Sequence, residues 1–288
     1  VATAAELIRE AARQLSEAGF DSPRLDAEVL LRHVLDLDRT HLFVRMHEPV
    51  PDDLASVYAL LIEERLTGMS VAYLIGQREF MGLAFAVGPG VLVPRPETEL
   101  LVEWALTRIR EHPPKHVVDV GTGSGAIILS LAKLLDGENS PMLIGCDLSS
   151  QALEYARRNR ASLDLSSMVH LVQGDLLSWL GNRVDLVLAN LPYLRPDQVV
   201  DNRDIQSEPE ISLISGEDGF HTIETLIAEL PRVLAPGGAV VLELDPDQAE
   251  RAASMMTTQV PGARSSVILD LSGRKRFVIA ELSSTALS

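Results

Sequence analysis

Asn190-Leu191-Pro192-Tyr193 follows directly on the apolar run Val184-Asp185-Leu186-Val187-Leu188-Ala189. At a strand end, the asparagine side-chain carbonyl and the Leu191 main-chain carbonyl can accept both hydrogens of one planar –NH2 group and so aim its nitrogen at an electrophile. Pro192 keeps Leu191 extended, which fixes where that carbonyl points, and Tyr193 supplies a flat wall for the amide. The chemistry such a clamp would serve is methyl transfer onto nitrogen. By itself the tetrapeptide also reads as an ordinary strand-end turn, so its meaning depends on what lies upstream.

Upstream, Val117-Val118-Asp119-Val120 runs into Gly121-Thr122-Gly123-Ser124-Gly125 and then the helix-like Ala126-Ile127-Ile128-Leu129-Ser130-Leu131-Ala132. Glycines let the backbone approach a ligand closely. Roughly 20 residues on, Leu143-Ile144-Gly145-Cys146 ends at Asp147, where an acid would accept ribose hydroxyl protons. Val169-His170-Leu171-Val172-Gln173 ends at Gly174-Asp175-Leu176, placing a second acid at the same sheet edge. Gly121-x-Gly123-x-x-Ala126 also satisfies the dinucleotide pattern, which is weak alone. The amide clamp decides, since a nicotinamide enzyme needs none. The predicted cofactor is S-adenosyl-L-methionine, held by Gly121, Thr122, Gly123, Ser124, Gly125, Asp147, Asp175 and Asn190.

The elements that position these residues follow from periodicity. Ala5, Ile8, Ala12 and Leu15 share a helical face; Ser22-Pro23 reads as N-cap and N1 of a helix carrying Ala27, Leu30, Leu31 and Val34; a further helix runs through Leu54, Val57, Leu61 and Ile62. Residues 1–75 therefore form a small helical domain, either a structural cap or a substrate-recognition module. Phe80 to Val87 and Val91 to Val93, joined by Gly88-Pro89-Gly90, read as a hairpin within a linker over 76–95. Pro94-Arg95-Pro96 is placed to wall the cofactor pocket, with Glu97, Thr98 and Glu99 suiting the start of a helix over Leu100 to Ile109. The catalytic domain spans 96–288. With strands over 238–244, 266–269 and 276–280, the last two antiparallel, the fold class is α/β: a Rossmann-like, mostly parallel seven-stranded sheet with a small N-terminal helical bundle and a linking β-hairpin. Trp104 and Trp179 read as packing residues.

The chain has 288 residues, 46% hydrophobic and 23% charged, enough for one full α/β domain and a smaller one. Val1 to Glu10 lacks the basic start and apolar stretch of a secretory signal, and no stretch is long enough to span a bilayer, which predicts a cytoplasmic protein. The single cysteine, Cys146, excludes an internal disulfide and reads as a buried, inert thiol. Seven histidines lack ligand spacing, so no metal site is expected. With 25 basic against 41 acidic residues the net charge is −16, which repels a polyanion. Arg157-Arg158-x-Arg160 and Arg274-Lys275-Arg276 read as a solvated helix face and a strand start. This argues against a large nucleic-acid substrate without excluding one.

The chain resembles the HemK/PrmC family, the protein-(glutamine-N5) methyltransferases of peptide chain release factors. The resemblance covers nearly the whole chain. It is carried by the helical N-terminal domain, Tyr73-Leu74-Ile75-Gly76-Gln77-Arg78-Glu79-Phe80, Val93-Pro94-Arg95-Pro96-Glu97-Thr98-Glu99, Gly121 to Gly125, Asn190 to Tyr193, Glu208-Pro209 with Ser215-Gly216-Glu217-Asp218-Gly219, and Asp270-Leu271-x-Gly273-Arg274. It implies methyl transfer to the side-chain amide of the glutamine in the Gly-Gly-Gln motif of class I release factors, with Asn190, Leu191, Pro192 and Tyr193 as the catalytic motif. It also implies that the helical domain docks the protein substrate and that Leu176 lies against the adenine, where some relatives carry tryptophan. A monomer that binds neither membrane nor nucleic acid is expected. Leu191 replaces the usual family proline, and Asp245 stands where the family places glycine. Asn-Leu-Pro-Tyr also resembles the motif of ribosomal RNA adenine dimethyltransferases, which keeps adenine-N6 methylation of RNA or DNA as the alternative.

Overall fold

Apolar residues at helical spacing build the first part of the molecule. Helix α1 (Ala4–Glu17) opens with a capping box: the Thr3 hydroxyl accepts from Glu6 N, and the Glu6 carboxylate accepts from Thr3 N at 2.8 Å. It buries Ala4, Ile8, Ala11 and Leu15. Helix α2 (Pro23–Leu35) starts with proline at N1 and buries Ala27, Leu30 and Leu31, but Ser22 makes no side-chain cap bond. After the short α3 (Arg39–Val44) comes α4 (Asp52–Leu66), which turns Tyr58, Ile62 and Arg65 inward. Val57, expected inside, is exposed. The Tyr58 hydroxyl donates to Ala27 O at 3.1 Å, and this partner selects the buried face of α4. Helix α5 (Val71–Ile75) stops at Gly76, whose φ of 79° suits glycine.

The computed structural model describes residues 2–135, 140–200 and 202–283. Two compact units emerge, Val1–Gln77 with Val199–Glu208, and Arg78–Gln198 with Pro209–Ser288. The return of 199–208 to the first unit has no counterpart in the sequence-based boundaries.

The hairpin differs from expectation. Its strands are β1 (Gln77–Phe80) and β2 (Leu83–Ala86), joined by Met81-Gly82. Both turn residues have positive φ, 52° and 71°, as a two-residue type I′ turn requires. That tight turn closes the hairpin before Gly88-Pro89-Gly90, and Val91 to Val93 form no strand.

Helix α6 (Glu99–Glu111) leads into alternating strands and helices: β3 (His116–Val120), α7 (Ala126–Leu134), β4 (Met142–Asp147), α8 (Ser150–Ser162), β5 (Val169–Gln173), β6 (Val184–Asn190), α9 (Pro196–Val200), α10 (His221–Val233), β7 (Leu234–Glu243), α11 (Ala249–Gln259), β8 (Ala263–Leu269) and β9 (Lys275–Leu282). The seven-stranded sheet runs β5-β4-β3-β6-β7-β9-β8, parallel except for β9, which is antiparallel to both neighbours. Successive strand residues face opposite sides. Val118, Val120, Val187, Ala189, Val240 and Leu242 join a core with α10 and α11, while Val117, Leu186, Leu188 and Val241 join one with α6 and α7. The chain winds outward in opposite senses from β3 and β6, so a crevice opens where their carboxyl ends part, the usual ligand position in such a sheet.

Candidate active site

The turn after β3 is shaped by its glycines and by Thr122. Gly121, Gly123 and Gly125 have φ of 71°, 57° and 83°, values that strain any other residue. Thr122 N donates to Cys146 O at 2.9 Å, and Gly125 N to Thr122 O at 2.8 Å. The Thr122 hydroxyl turns away from the crevice and donates to Asp119 Oδ2 at 2.6 Å. Asp119 is fully buried, and burial pushes its carboxyl up to about 7 against that hydrogen bond.

Asp147 ends β4 beside this loop. Its Oδ2 accepts from Gly123 N and its Oδ1 from Ser149 N, both at 2.8 Å. Burial raises its pKa, while those backbone donors lower it. Each oxygen retains lone-pair capacity for a further donor. A cavity of ≈ 240 Å³ opens here, large enough for a nucleoside rather than a water or two. Gly121, Gly123, Asp147, Asp175, Leu176 and Asn190 line it, together with Leu191 and Pro192. Side-chain-free glycines beside an acid with spare acceptor capacity fit the adenosine portion of S-adenosylmethionine. Leu176 reaches the cavity through a φ of 46°, uncommon for a branched residue and accommodated by the turn after β5.

Four expected residues lie outside this lining. Thr122 is committed to Asp119; Ser124 is buried, its carbonyl accepting from Asn159 Nδ2 at 2.9 Å; Gly125 starts α7. Tyr193 packs against the core, and its carbonyl accepts from Gln248 Nε2 at 3.0 Å. Nor does Pro94-Arg95-Pro96 form a wall. Gly90, Val91 and Leu92 take that place, and Pro209, Ile211, Ser212, Ile214 and Thr222 also line the cavity. Leu194 N donates to Leu213 O at 2.9 Å and Ser215 N to Leu194 O at 3.1 Å, pairing this stretch with the chain that leaves the clamp. The two motifs Glu208-Pro209 and Ser215 to Gly219 that flank this stretch were the available sequence signal; that Ile211 between them is exposed is visible only in the structure.

The clamp takes its orientation from an unexpected neighbour. Thr98 makes no helix-cap bond; its hydroxyl instead accepts from Asn190 Nδ2 at 2.9 Å. Glu99 likewise serves a tertiary partner, its Oε1 accepting from Met81 N at 2.7 Å. With Nδ2 given to Thr98, Oδ1 is the acceptor that the Asn190 side chain offers. Leu191 is buried, and its Cδ2 lies 2.9 Å from where a Cβ on Gly121 would stand. Leucine at this position thus packs over the glycine loop. Cys146 is buried, donates weakly to Gly174 O and Leu176 O, and is pushed up to about 12 by burial.

A seven-stranded sheet with one antiparallel strand, and a nucleoside-sized cavity at its parallel strand ends, define an S-adenosylmethionine-dependent methyltransferase. Comparison with known proteins narrows the class. Residues 6–76 match the PrmC N-terminal domain and residues 111–267 a methyltransferase domain. The chain is 37% identical to the release factor glutamine methyltransferase of Deinococcus radiodurans, covering 96% of this chain and 97% of that protein. It is 36% identical to the Moorella thermoacetica protein of the same name, covering 96% and 98%. The T. thermophilus 16S rRNA methyltransferase RsmC, solved with AdoMet and guanosine, shares the fold at 17% identity and a TM-score of 0.51, over 72% of this chain and 49% of its own. The chain belongs to the release factor glutamine methyltransferase family.

Proposed function

We propose that the chain transfers a methyl group from S-adenosylmethionine to the side-chain amide nitrogen (N5) of the glutamine in the Gly-Gly-Gln motif of class I peptide chain release factors. Near full-length similarity to proteins of that name supports the activity. The bond from Asn190 Nδ2 to Thr98 carries the residue-level reading, because it turns the amide so that its oxygen is the group offered to a substrate –NH2. Bound S-adenosylmethionine supplies an electrophilic methyl group on a positively charged sulfur. An amide lone pair is delocalised and a weak nucleophile, so positioning must provide much of the rate. Asn190 Oδ1 and the Leu191 carbonyl accept the two amide hydrogens, align the nitrogen, and stabilise the positive charge growing on it. Leucine in place of proline keeps that carbonyl, and Pro192 holds its direction. Asp147, with the Gly121 and Gly123 backbone, holds the nucleoside; Asp175 and Leu176 border it. The helical residues 1–75 dock the protein substrate.

Asn-Leu-Pro-Tyr would serve an adenine amino group equally well, and one assay separates the readings. The chain is incubated with radiolabelled S-adenosylmethionine and either release factor or ribosomal RNA. Label is expected on the Gly-Gly-Gln glutamine, and Asn190→Ala is expected to lower kcat about 10²–10³-fold with cofactor affinity little changed. Label on RNA adenine alone would overturn the proposal.

A further inference from the structure

Glu243 ends β7 in register with Asn190 on β6, so both side chains leave the sheet on the same side. The residue is 1% exposed, and neither carboxylate oxygen reaches a full hydrogen bond among the described residues. Such a group is destabilising by itself. Thr98, 4% exposed, holds the clamp from the other side of the amide: its hydroxyl accepts from Asn190 Nδ2. A hydroxyl has one proton to donate. Thr98 is also the first of the groups that hold the Glu243 carboxyl down against burial, although neither carboxylate oxygen reaches hydrogen-bond geometry.

We infer that Glu243 is a positioning residue which, through the Thr98 hydroxyl, sets which end of the Asn190 amide faces the methyl acceptor. The inference rests on the clamp proposed above. An ionised carboxylate only accepts hydrogen bonds. It draws the Thr98 proton toward itself, which leaves the Thr98 oxygen to accept from Nδ2 and keeps Oδ1 toward the substrate. A protonated Glu243 can donate to Thr98 instead. The Thr98 proton is then available to Asn190 Oδ1, and the amide can turn its –NH2 toward a substrate that is itself an –NH2 donor.

The surroundings place this change near neutrality. Burial pushes Glu243 up to about 7, with Glu97 adding to the shift, while Thr98, Arg276 and Arg95 oppose it. Tyr193, after β6, is raised well above the usual phenol range, first by burial and then by Glu243, and stays neutral. These groups come from the segment before α6, from β9 and from the clamp. Because the carboxylate is ionised above its pKa, the productive orientation is present above about pH 7 and lost below it.

The test is kcat against pH for the full chain and its variants, with release factor as substrate. Wild type is expected to show an acid limb with an apparent pKa near 7. Glu243→Gln, close to isosteric, is expected to lose that limb and about 10- to 100-fold in kcat, with KM and S-adenosylmethionine affinity within about twofold. Thr98→Val should lose a similar factor, Thr98→Ser should restore most of it, and the double variant should be no worse than the poorer single one. An unchanged kcat and acid limb in Glu243→Gln would overturn the inference; so would multiplying losses in the double variant, or cofactor affinity falling in step with kcat. If Glu243→Gln does not fold, Thr98→Val and Thr98→Ser decide: equal activities refute the relay. Wild type that leaves release factor unmethylated would refute the functional reading, whereas active wild type with an indifferent Glu243→Gln refutes this inference alone.

Discussion

Asp147 illustrates how one side chain can be both structural and ligand-directed. Its two oxygens tie the glycine loop to the start of α8 through Gly123 N and Ser149 N, yet the residue also lines the cavity, with acceptor capacity remaining on each oxygen. Asp147→Ala is therefore expected to weaken S-adenosylmethionine binding by about 1–3 kcal/mol, through loss of a ribose acceptor and a looser loop. Calorimetry showing wild-type affinity would remove Asp147 from the site. Its position was legible because an acid at the end of the first strand after a glycine loop has few other uses. The partnership of Thr98 with Asn190 was not, because 92 residues separate them and each alone reads as a local capping or turn residue. Which donor a hydroxyl meets depends on packing, not on its sequence neighbours.

At the scale of elements, the glycine loop divides its labour. Gly121 and Gly123 border the cavity, whereas Gly125 begins α7, and a Cβ there would stand 2.7 Å from Leu129 Cδ1. Gly125→Ala is expected to lower stability by about 1–2 kcal/mol, from left-handed strain and a displaced Leu129, while cofactor affinity stays within about twofold. Chemical denaturation alongside a binding titration checks both halves; a selective loss of affinity would return Gly125 to the binding site. The strand, loop and helix around these glycines were readable because apolar runs and glycines lie within a few residues of each other. The hairpin was misplaced for the complementary reason: Met81 adopts positive φ, which its residue type does not advertise, so the Gly-Pro-Gly stretch drew the turn instead.

For the whole molecule, the consequential feature is that residues 199–208 belong to the first unit. Arg65, 3% exposed, binds Asp26 at 2.8 Å, pairs with Asp204, donates to Met69 O at 3.1 Å, and stacks over Phe20 at 3.9 Å. Arg203 adds a bond to Ala18 O at 2.7 Å. Arg65→Ala leaves the partly buried Asp26 unpaired, and burial already raises its pKa. The first unit should lose on the order of 3 kcal/mol, and trypsin should cut after Arg203 faster than in wild type. Cofactor affinity should hold, since the cavity is lined by the second unit alone. Unchanged proteolysis would show that Arg65 does not retain this segment.

The sequence by itself determined the class of sheet, its seven strands along the chain, the strand ends that carry chemistry, and a chemical reading of Asn190-Leu191-Pro192-Tyr193. These follow from period-two and period-3.6 patterns and from residues adjacent in the chain, where local sterics govern. Tertiary structure alone decided that Thr98 and Glu243 stand behind Asn190, that 90–92 and 209–214 rather than 94–96 line the cavity, that Tyr58 rather than Val57 faces the core of the helical unit, and that 199–208 returns to that unit. Each depends on a partner far away in sequence, and a buried polar group's choice among distant partners is set by which of them packing brings within reach.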